Sequence, residues 1–395
     1  MRCLWITRQD PRPRNSGELI YSNGLLHALA EEHPSLEITV LTHQSQTPTP
    51  SSASPPNITW QFTPPIPSRN PFHFLSTLPS DAARLGNPHM RKTLTHLLAQ
   101  NWHALIVDQA ACGWVLRIDK IPLPPLVYIA HNHESSVRSQ IARSPDHHFL
   151  EKFILASDAQ RYVQLEKELL AQSSLLTTIT SEDQQRFRQE APKLKSLVLT
   201  PGFQSNNTRP PELETLQASP RRLILTGAFQ WFAKRRNLIS FLEAAHPVFP
   251  SEKIELSVVG KTDPAFFQEL QSRFPWAQFH PNVPSIDPFL TDARIGILPD
   301  TLGGGFKLKA LDYIFRGLPL AAVTDSLRGL PDSASLHAIS AHTHPELVKA
   351  IVQRIDDLPA LHQAAQSAFL GCQNLFHWKD RGQQLAQALA ELPSP

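Results

Sequence analysis

Residues 2–42 read RCLWITRQDPRPRNSGELIYSNGLLHALAEEHPSLEITVLT, and this stretch decides the fold class. Residues 2–7 and 38–42 are short apolar runs, which predict buried strands. Residues 18–32 between them have the spacing of a helix, with an apolar face made by Leu19, Leu25, Leu26 and Leu29. A strand, a helix and a second strand, with strands that are apolar on both faces, predict a parallel sheet covered by helices.

The same alternation of apolar runs and helical patterns continues along the chain. Further strands are predicted at 104–108, 126–130, 176–180 and 197–199, and then at 223–226, 255–259, 277–280, 295–298 and 320–323. Residues 204–220 are polar and contain several prolines, which is typical of a linker. A long helical pattern covers 358–392. We therefore predict an α/β protein with two Rossmann-like domains, at 1–205 and 219–370, and a C-terminal helical segment at 371–395.

The composition argues against several classes of protein. A net charge of +2 is too small to indicate nucleic-acid binding. The cysteines, Cys3, Cys112 and Cys372, are too far apart to suggest a disulfide framework or a zinc site, which favours a reducing cytoplasm. No apolar run is long enough for a signal-peptide core or a membrane span. We expect a soluble cytoplasmic protein whose mildly basic balance permits weak peripheral contact with the inner face of the membrane.

Several catalytic motifs are missing from the sequence. No GxGxxG follows the first predicted strand, and neither GxxxxGK[ST] nor GxSxG occurs. These absences argue against a dinucleotide oxidoreductase, a P-loop NTPase and an α/β-hydrolase. His147 and His148 lack the four-residue spacing that would place two imidazoles on one helix face, so no metal site is predicted.

Residues 303–312, GGGFKLKALD, directly follow the predicted strand 295–298. Ligands of open parallel sheets bind beyond the carboxyl ends of the strands, and glycines let a ligand approach the backbone closely. A helix predicted at 306–316 would place Lys307 and Lys309 in its first turn, where their charges oppose the helix dipole unless an anion binds. Two interpretations remain open: a diphosphate site, or a flexible turn with solvated lysines and a Lys309–Asp312 ion pair.

The longer segment 303–319, GGGFKLKALDYIFRGLP, resembles the donor-site helix of GT4-like glycosyltransferases, the glycosyltransferase group 1 family of GT-B fold. Other segments resemble the motifs of this family in the same chain order: YIAHNHES at 128–135, ITSED at 179–183, PGF at 201–203, LTGAFQW at 225–231 and DARI at 292–295. The series covers about residues 1–330. It implies that the two domains face each other across a cleft, the first binding the acceptor and the second the nucleotide-sugar donor. The terminal helix would cross back to the N-terminal lobe.

The resemblance also implies roles for individual residues. Lys234 and Lys309 would contact the diphosphate, and Asp312 would hold the ribose hydroxyls. The implied donor-binding residues are Gly17, Gly227, Gly303, Gly304, Gly305, Lys307 and Asp312, and the implied catalytic residues are His131, Lys234 and Lys309. Many family members have two glutamates eight positions apart on this stretch, where the present sequence has Gly304 and Asp312.

His131 follows the predicted strand 126–130, at a position where the family has a residue near the transferred sugar. A histidine there could bind a sugar hydroxyl or stabilise a developing charge. The alternative is that it ends the strand and bonds only local backbone. Arg138 and Arg143 suggest contact with an anionic acceptor, although two surface arginines are the commoner explanation.

These observations predict a glycosyltransferase, an enzyme of EC class 2.4. It would move a sugar from a nucleoside-diphosphate sugar to a glycan, lipid-linked or small-molecule acceptor, and no cofactor is predicted. The resemblance implies retention of the anomeric configuration, and the lack of a DxD motif favours catalysis without a metal ion. An alternative remains open because of the departures at Gly304 and Asp312: a catalytically silent GT-B protein that binds a glycan or a partner protein.

Overall fold

The computed structural model describes residues 1–13, 16–44, 54–66, 76–118, 121–144, 149–204 and 208–393. Contacts within this part of the chain divide it into two compact units. The N-terminal unit consists of residues 1–202 and 377–395, and the C-terminal unit consists of residues 203–376. No helix in the described ranges is both long enough and apolar enough to cross a membrane.

The N-terminal unit is built around a parallel sheet in the order β3-β2-β1-β4-β5-β6-β7. Its strands are β1 (Arg2–Ile6), β2 (Glu37–His43), β3 (Ile58–Thr63), β4 (Ala104–Asp108), β5 (Leu126–Ala130), β6 (Ser173–Thr178) and β7 (Ser196–Val198). Its helices are α1 (Gly17–Glu32), α2 (Ser80–Leu85), α3 (Pro88–Leu98), α4 (Glu134–Ala142), α5 (Phe149–Gln172) and α6 (Ser181–Glu190), with a 3₁₀ helix at Ala110–Arg117.

The C-terminal unit repeats this arrangement with a parallel sheet in the order β10-β9-β8-β11-β12-β13. Its strands are β8 (Arg222–Ala228), β9 (Glu255–Lys261), β10 (Ala277–Pro281), β11 (Ile295–Leu298), β12 (Leu320–Val323) and β13 (Ile339–Ala341). Its helices are α7 (Leu213–Ala218), α8 (Phe232–Ala245), α9 (Pro264–Arg273), α10 (Asp287–Thr291), α11 (Lys309–Ile314), α12 (Asp332–Ser335), α13 (His344–Arg354) and α14 (Leu358–Cys372). The two parallel sheets confirm the predicted α/β fold class.

The last helix of the chain, α15 (Trp378–Ala390), packs against α1 within the N-terminal unit. The indole of Trp378 fills the space beside Gly24, where a Cβ atom would lie 2.3 Å from the ring. The same indole lies 5.9 Å from the ring of Tyr21, measured between centroids. Because Tyr21 in turn contacts His131 edge to face at 4.9 Å, the terminal helix supports the residue that follows β5.

The structure differs from the predicted secondary structure at two helices and two strands. The segment 358–392 is not one helix, because the carbonyl of Phe376 accepts a hydrogen bond from the amide of Phe203 and the chain turns between α14 and α15. The helix predicted at 306–316 is shorter, since α11 begins only at Lys309. The edge strands β3 and β13 were missed, because half of the residues of β3 are exposed and β13 has only three residues, so that neither forms a long apolar run.

Candidate functional site

The loop between β11 and α11 has a backbone that requires glycine at two positions. Gly303 and Gly305 have φ angles of 99° and 69°, in the left-handed region that other residues rarely adopt. A Cβ atom on Gly303 would also approach the ring of Trp231 to 3.3 Å. Two of the three predicted loop glycines are therefore explained by the conformation of the loop itself.

Asp300, two residues beyond the end of β11, joins two of the predicted lysines. Its Oδ1 atom lies 2.5 Å from Nζ of Lys234, and its Oδ2 atom lies 2.8 Å from Nζ of Lys309. The aspartate is 2% exposed, so its charge is removed from water and depends on these partners. The sequence analysis did not single out Asp300. The available signal was its position directly after a buried strand, at the edge where parallel sheets bind ligands.

The electrostatics of this cluster keep the aspartate ionised. Burial alone would raise the pKa of Asp300, but the charges of Lys234, Lys309 and Lys307 outweigh it and hold the pKa well below its usual range. Burial also lowers the pKa of Lys309, an effect that the charge of Asp300 opposes. Three lysines around one carboxylate leave the cluster with excess positive charge, which favours an anionic ligand.

Lys307 is buried beneath the glycine loop, with 7% of its surface exposed. Its Nζ atom donates hydrogen bonds to the carbonyls of Gly304 and Gly305, at 2.6 and 3.2 Å. Burial, together with the charge of Lys234, lowers the pKa of Lys307 to about 7, although Asp300 opposes the shift. The alternative of a turn with solvated lysines is therefore wrong.

The alternative Lys309–Asp312 pair is also absent, because Asp312 pairs elsewhere. Nη1 of Arg316 donates to Oδ1 of Asp312 at 3.2 Å, and Nη2 of the same arginine donates to Asp287 at 2.6 Å. Burial raises the pKa of Asp312 to about 6 against the charge of Arg316. Asp312 lies on α11 with Lys309, but the two residues have different partners.

A second polar cluster lies in the N-terminal unit, where β4 and β5 end side by side. Nε2 of His131, the residue after β5, lies 2.7 Å from Oδ1 of Asp108 at the end of β4. The other carboxylate oxygen accepts a hydrogen bond from Nε1 of Trp5 at 3.2 Å. Since a carboxylate can only accept, the proton of the neutral imidazole lies on Nε2 and the lone pair on Nδ1. His131 is thus oriented by a buried side chain and not by local backbone, and Asp108 is a further residue that the sequence analysis missed.

The turn that carries His131 is held by the buried carboxylate of Glu166 on α5. One oxygen accepts from the hydroxyl of Tyr128 and the amide of Glu134, each at 3.0 Å. The other accepts from the amide of Ser135 at 2.7 Å and from its hydroxyl at 2.5 Å. Burial raises the pKa of Glu166 to about 6, although the charge of His133 and these hydrogen bonds oppose the shift. The start of α4 is therefore anchored directly beside His131.

The N-terminal unit contains the predicted residues Gly17, Arg138 and Arg143, and the C-terminal unit contains Gly227. Gly17 is exposed at the start of α1 in the N-terminal unit. Gly227 lies on β8 and pairs with β9. Arg143 is exposed, whereas Arg138 is not a surface arginine, since it lies over the ring of Tyr162 and donates to Glu134 at 2.9 Å. His147 and His148 lie outside the described residues.

Comparison with known proteins finds a family model that matches most of the C-terminal unit. Residues 220–358, which include the glycine loop, Lys234, Lys307 and Lys309, match the family model described as Glycosyl transferases group 1. This unit is a group 1 glycosyl transferase domain. The match confirms the resemblance predicted from the sequence and, with it, the predicted enzyme class, a glycosyltransferase of EC class 2.4. No curated protein matches the chain significantly.

Several solved structures are similar to this protein over almost the whole chain. Sucrose-phosphate synthase from Thermosynechococcus elongatus has a TM-score of 0.73 at 14% identity, over 99% of this chain and 98% of that one. Anabaena HepE in complex with UDP-glucose has a TM-score of 0.64 at 14% identity, over 99% and 100%. A structure entitled trehalose-6-phosphate from E. coli, bound with UDP-2-fluoro glucose, has a TM-score of 0.66 at 13% identity, over the full length of both chains. At these identities the likeness shows the fold alone, and it confirms the predicted GT-B fold.

Proposed function

We propose that the protein transfers a sugar from a nucleoside-diphosphate sugar to a sugar-containing acceptor, and that its donor diphosphate binds at the lysine cluster. The observation that carries the proposal is the buried carboxylate of Asp300, which pairs with the partly buried Lys234 and Lys309. The charge of the buried Lys307 adds to theirs. A diphosphate would compensate the remaining positive charge, and the glycine loop leaves room for it near the backbone. The UDP-sugar complexes of HepE and of the E. coli structure support a uridine nucleotide as the donor.

A donor site for sugar transfer must stabilise the leaving group, the nucleoside diphosphate. When the bond between sugar and diphosphate breaks, negative charge builds up on the departing phosphate and positive charge on the sugar. Lysines that are already held in place by Asp300 can receive this negative charge without reorganising. The same ammonium groups would repel a divalent cation. For this reason we propose a metal-independent reaction. Retention of the anomeric configuration is proposed separately, from the resemblance to GT4-like glycosyltransferases.

His131 is proposed to act on the sugar. Its Nε2–H is occupied by Asp108, so that Nδ1 is the atom available to accept a hydrogen bond from a hydroxyl group. The proposed acceptor is a glycan, a lipid-linked sugar or a small molecule.

A ligand screen tests this proposal directly. The purified protein is heated with UDP, GDP, ADP or TDP, and a diphosphate present at about 100 times its Kd should stabilise it by about 2.7 kcal/mol. The stabilising nucleotide is then tested as its hexose derivatives, with transfer and hydrolysis followed by release of the nucleoside diphosphate. If no diphosphate stabilises the protein, the proposed donor site is wrong. Binding without turnover for every sugar and acceptor would instead favour the catalytically silent alternative.

A further inference from the structure

Asn237 on α8 is a buried amide, 2% exposed, that contacts the loop leading into the triple glycine. Its Oδ1 atom accepts hydrogen bonds from the amides of Thr301 and Leu302, at 3.2 and 2.9 Å, and from the hydroxyl of Thr301 at 3.1 Å. Its Nδ2 atom donates to the carbonyl of Leu302 at 2.9 Å and to Oδ1 of Asp300 at 3.3 Å. A single side chain thus bonds three consecutive residues of the loop.

The position of Asn237 connects it to the lysine cluster. Lys234 lies three residues earlier on the same helix, so that both side chains point to the same side. Both contact the same atom, Oδ1 of Asp300. Asp300 then holds Lys309 through its other oxygen at 2.8 Å. The side chain of Asn237 therefore fixes the position of the Asp300 carboxylate, which pairs with both lysines.

From this geometry we infer that Asn237 is a positioning residue for diphosphate binding. It fixes residues 300–302 before any ligand binds, so that the lysines and the glycine loop are already arranged around the phosphate position. The ordering of the loop then takes place during folding and does not weaken ligand binding. The inference rests on the proposed function, since it assigns Asn237 to the same donor site. Asn237 does not itself contact the ligand in this proposal.

The test compares Asn237→Ala with a matched asparagine in the other unit. Asn57 donates from Nδ2 to the carbonyls of Ala30, His33 and Leu36 at 2.9–3.2 Å, and so also holds a chain segment through one amide. Both variants are expected to lower the melting temperature. Only Asn237→Ala should weaken UDP binding, measured by titration calorimetry, by about 10- to 100-fold, and only it should raise the KM for the donor while leaving the KM for the acceptor unchanged.

A second measurement needs no ligand. Hydrogen exchange at the amides of Thr301 and Leu302 should accelerate in Asn237→Ala and stay unchanged in Asn57→Ala, because these amides lose their acceptor only in the first variant. If Asn237→Ala folds poorly, Asn237→Asp replaces it. This variant keeps an acceptor for both amides, so that exchange stays close to that of the wild type. It also adds a negative charge beside Asp300, and UDP affinity should fall.

The outcomes separate the two proposals. If the wild-type protein binds UDP and Asn237→Ala binds it with an affinity within about twofold of the wild type, the inference about Asn237 is wrong, even if exchange at Thr301 and Leu302 accelerates. If the wild type binds no nucleoside diphosphate, the proposed function fails. The exchange data would then still decide whether Asn237 holds the loop.

Discussion

The ammonium group of Lys309 and the carboxylate of Asp300 form an ion pair, with Nζ 2.8 Å from Oδ2. Lys309 stands at the start of α11, whereas Asp300 follows β11 on the far side of the glycine loop. The pair therefore closes the loop at its two ends. Since Lys234 from α8 binds the other oxygen of Asp300, three elements meet at one carboxylate.

Replacement of that carboxylate should destabilise the protein in a way that an anion can reverse. Asp300→Asn leaves the lysines without a counter-charge, and we expect a loss of about 3 kcal/mol in the free energy of unfolding, measured by urea denaturation. Pyrophosphate should restore part of the loss, because it supplies the missing negative charge. Asp287→Asn, which changes a more exposed carboxylate bonded to Arg316, is the control and should cost less than about 1 kcal/mol. Equal losses in the two variants would contradict the central role of Asp300.

Lys309→Ala should reduce turnover far more than it reduces stability. The ammonium group is proposed to stabilise the leaving diphosphate, and loss of one such contact typically lowers kcat by about 10²–10³-fold. Turnover is followed by release of UDP from the active donor sugar. Lys349→Ala, on the exposed side of α13 in the same unit, should leave kcat unchanged. A folded Lys309→Ala enzyme with wild-type kcat would exclude Lys309 from the reaction.

UDP binding at pH 8 should be accompanied by uptake of a proton at Lys307. The pKa of this lysine is lowered from 10.5 to about 7, so that its amine is mostly neutral at pH 8, and a bound diphosphate would raise the pKa again. Calorimetry in buffers of different ionisation enthalpy should show uptake of roughly half a proton or more in the wild type and none in Lys307→Met. Uptake that persists in the variant would show that another group takes the proton.

The lowered pKa of Lys307 also makes the stability of the protein depend on pH, in the direction opposite to that of its affinity for UDP. Between about pH 7 and pH 10.5 the unfolded chain carries a proton on Lys307 and the folded protein does not. The contribution of this group to the free energy of unfolding therefore rises with pH across that window, whereas affinity for the anionic ligand falls. The free energy of unfolding, measured from pH 7 to pH 9, should therefore rise with pH in the wild type relative to Lys307→Met. Parallel curves would contradict the lowered pKa.

Asp108→Asn should impair turnover while leaving UDP affinity unchanged. Both partners of Asp108, Trp5 and His131, present N–H groups, and an asparagine amide has one oxygen to accept them where the carboxylate has two. His131 would then lose its orientation or change its tautomer, and we expect kcat to fall by about 10- to 100-fold.

The control for this prediction is Asp158→Asn. It makes the same change in the same unit, where Asp158 accepts from the amide and hydroxyl of Ser80 at 2.7 and 2.6 Å. The control should lose some stability but keep its kcat. If UDP affinity falls in Asp108→Asn as much as kcat does, Asp108 acts on the donor site and not through His131.

Much of the fold could be predicted from the sequence, because short apolar strands alternate with amphipathic helices in both halves. This pattern depends only on neighbouring residues, and it predicted both parallel sheets. The loop glycines were recognisable for a similar reason, since the conformation of Gly303 and Gly305 is a local property of the backbone. The ends of α11 and α15 were less predictable, because they depend on contacts with distant segments.

The partners of the charged residues were decided only by the tertiary structure. Lys234 and Asp300 are 66 residues apart, but they meet because β8 and β11 are neighbours in a parallel sheet and end at the same edge. Asp108 and His131 meet at the ends of β4 and β5 for the same reason. Local spacing therefore pointed to Lys307 and Lys309, and the resemblance to the glycosyltransferase family pointed to Lys234 and His131. Strand order determined which carboxylate each one faces, because a hydrogen bond or an ion pair depends on distance in space and not on separation along the chain.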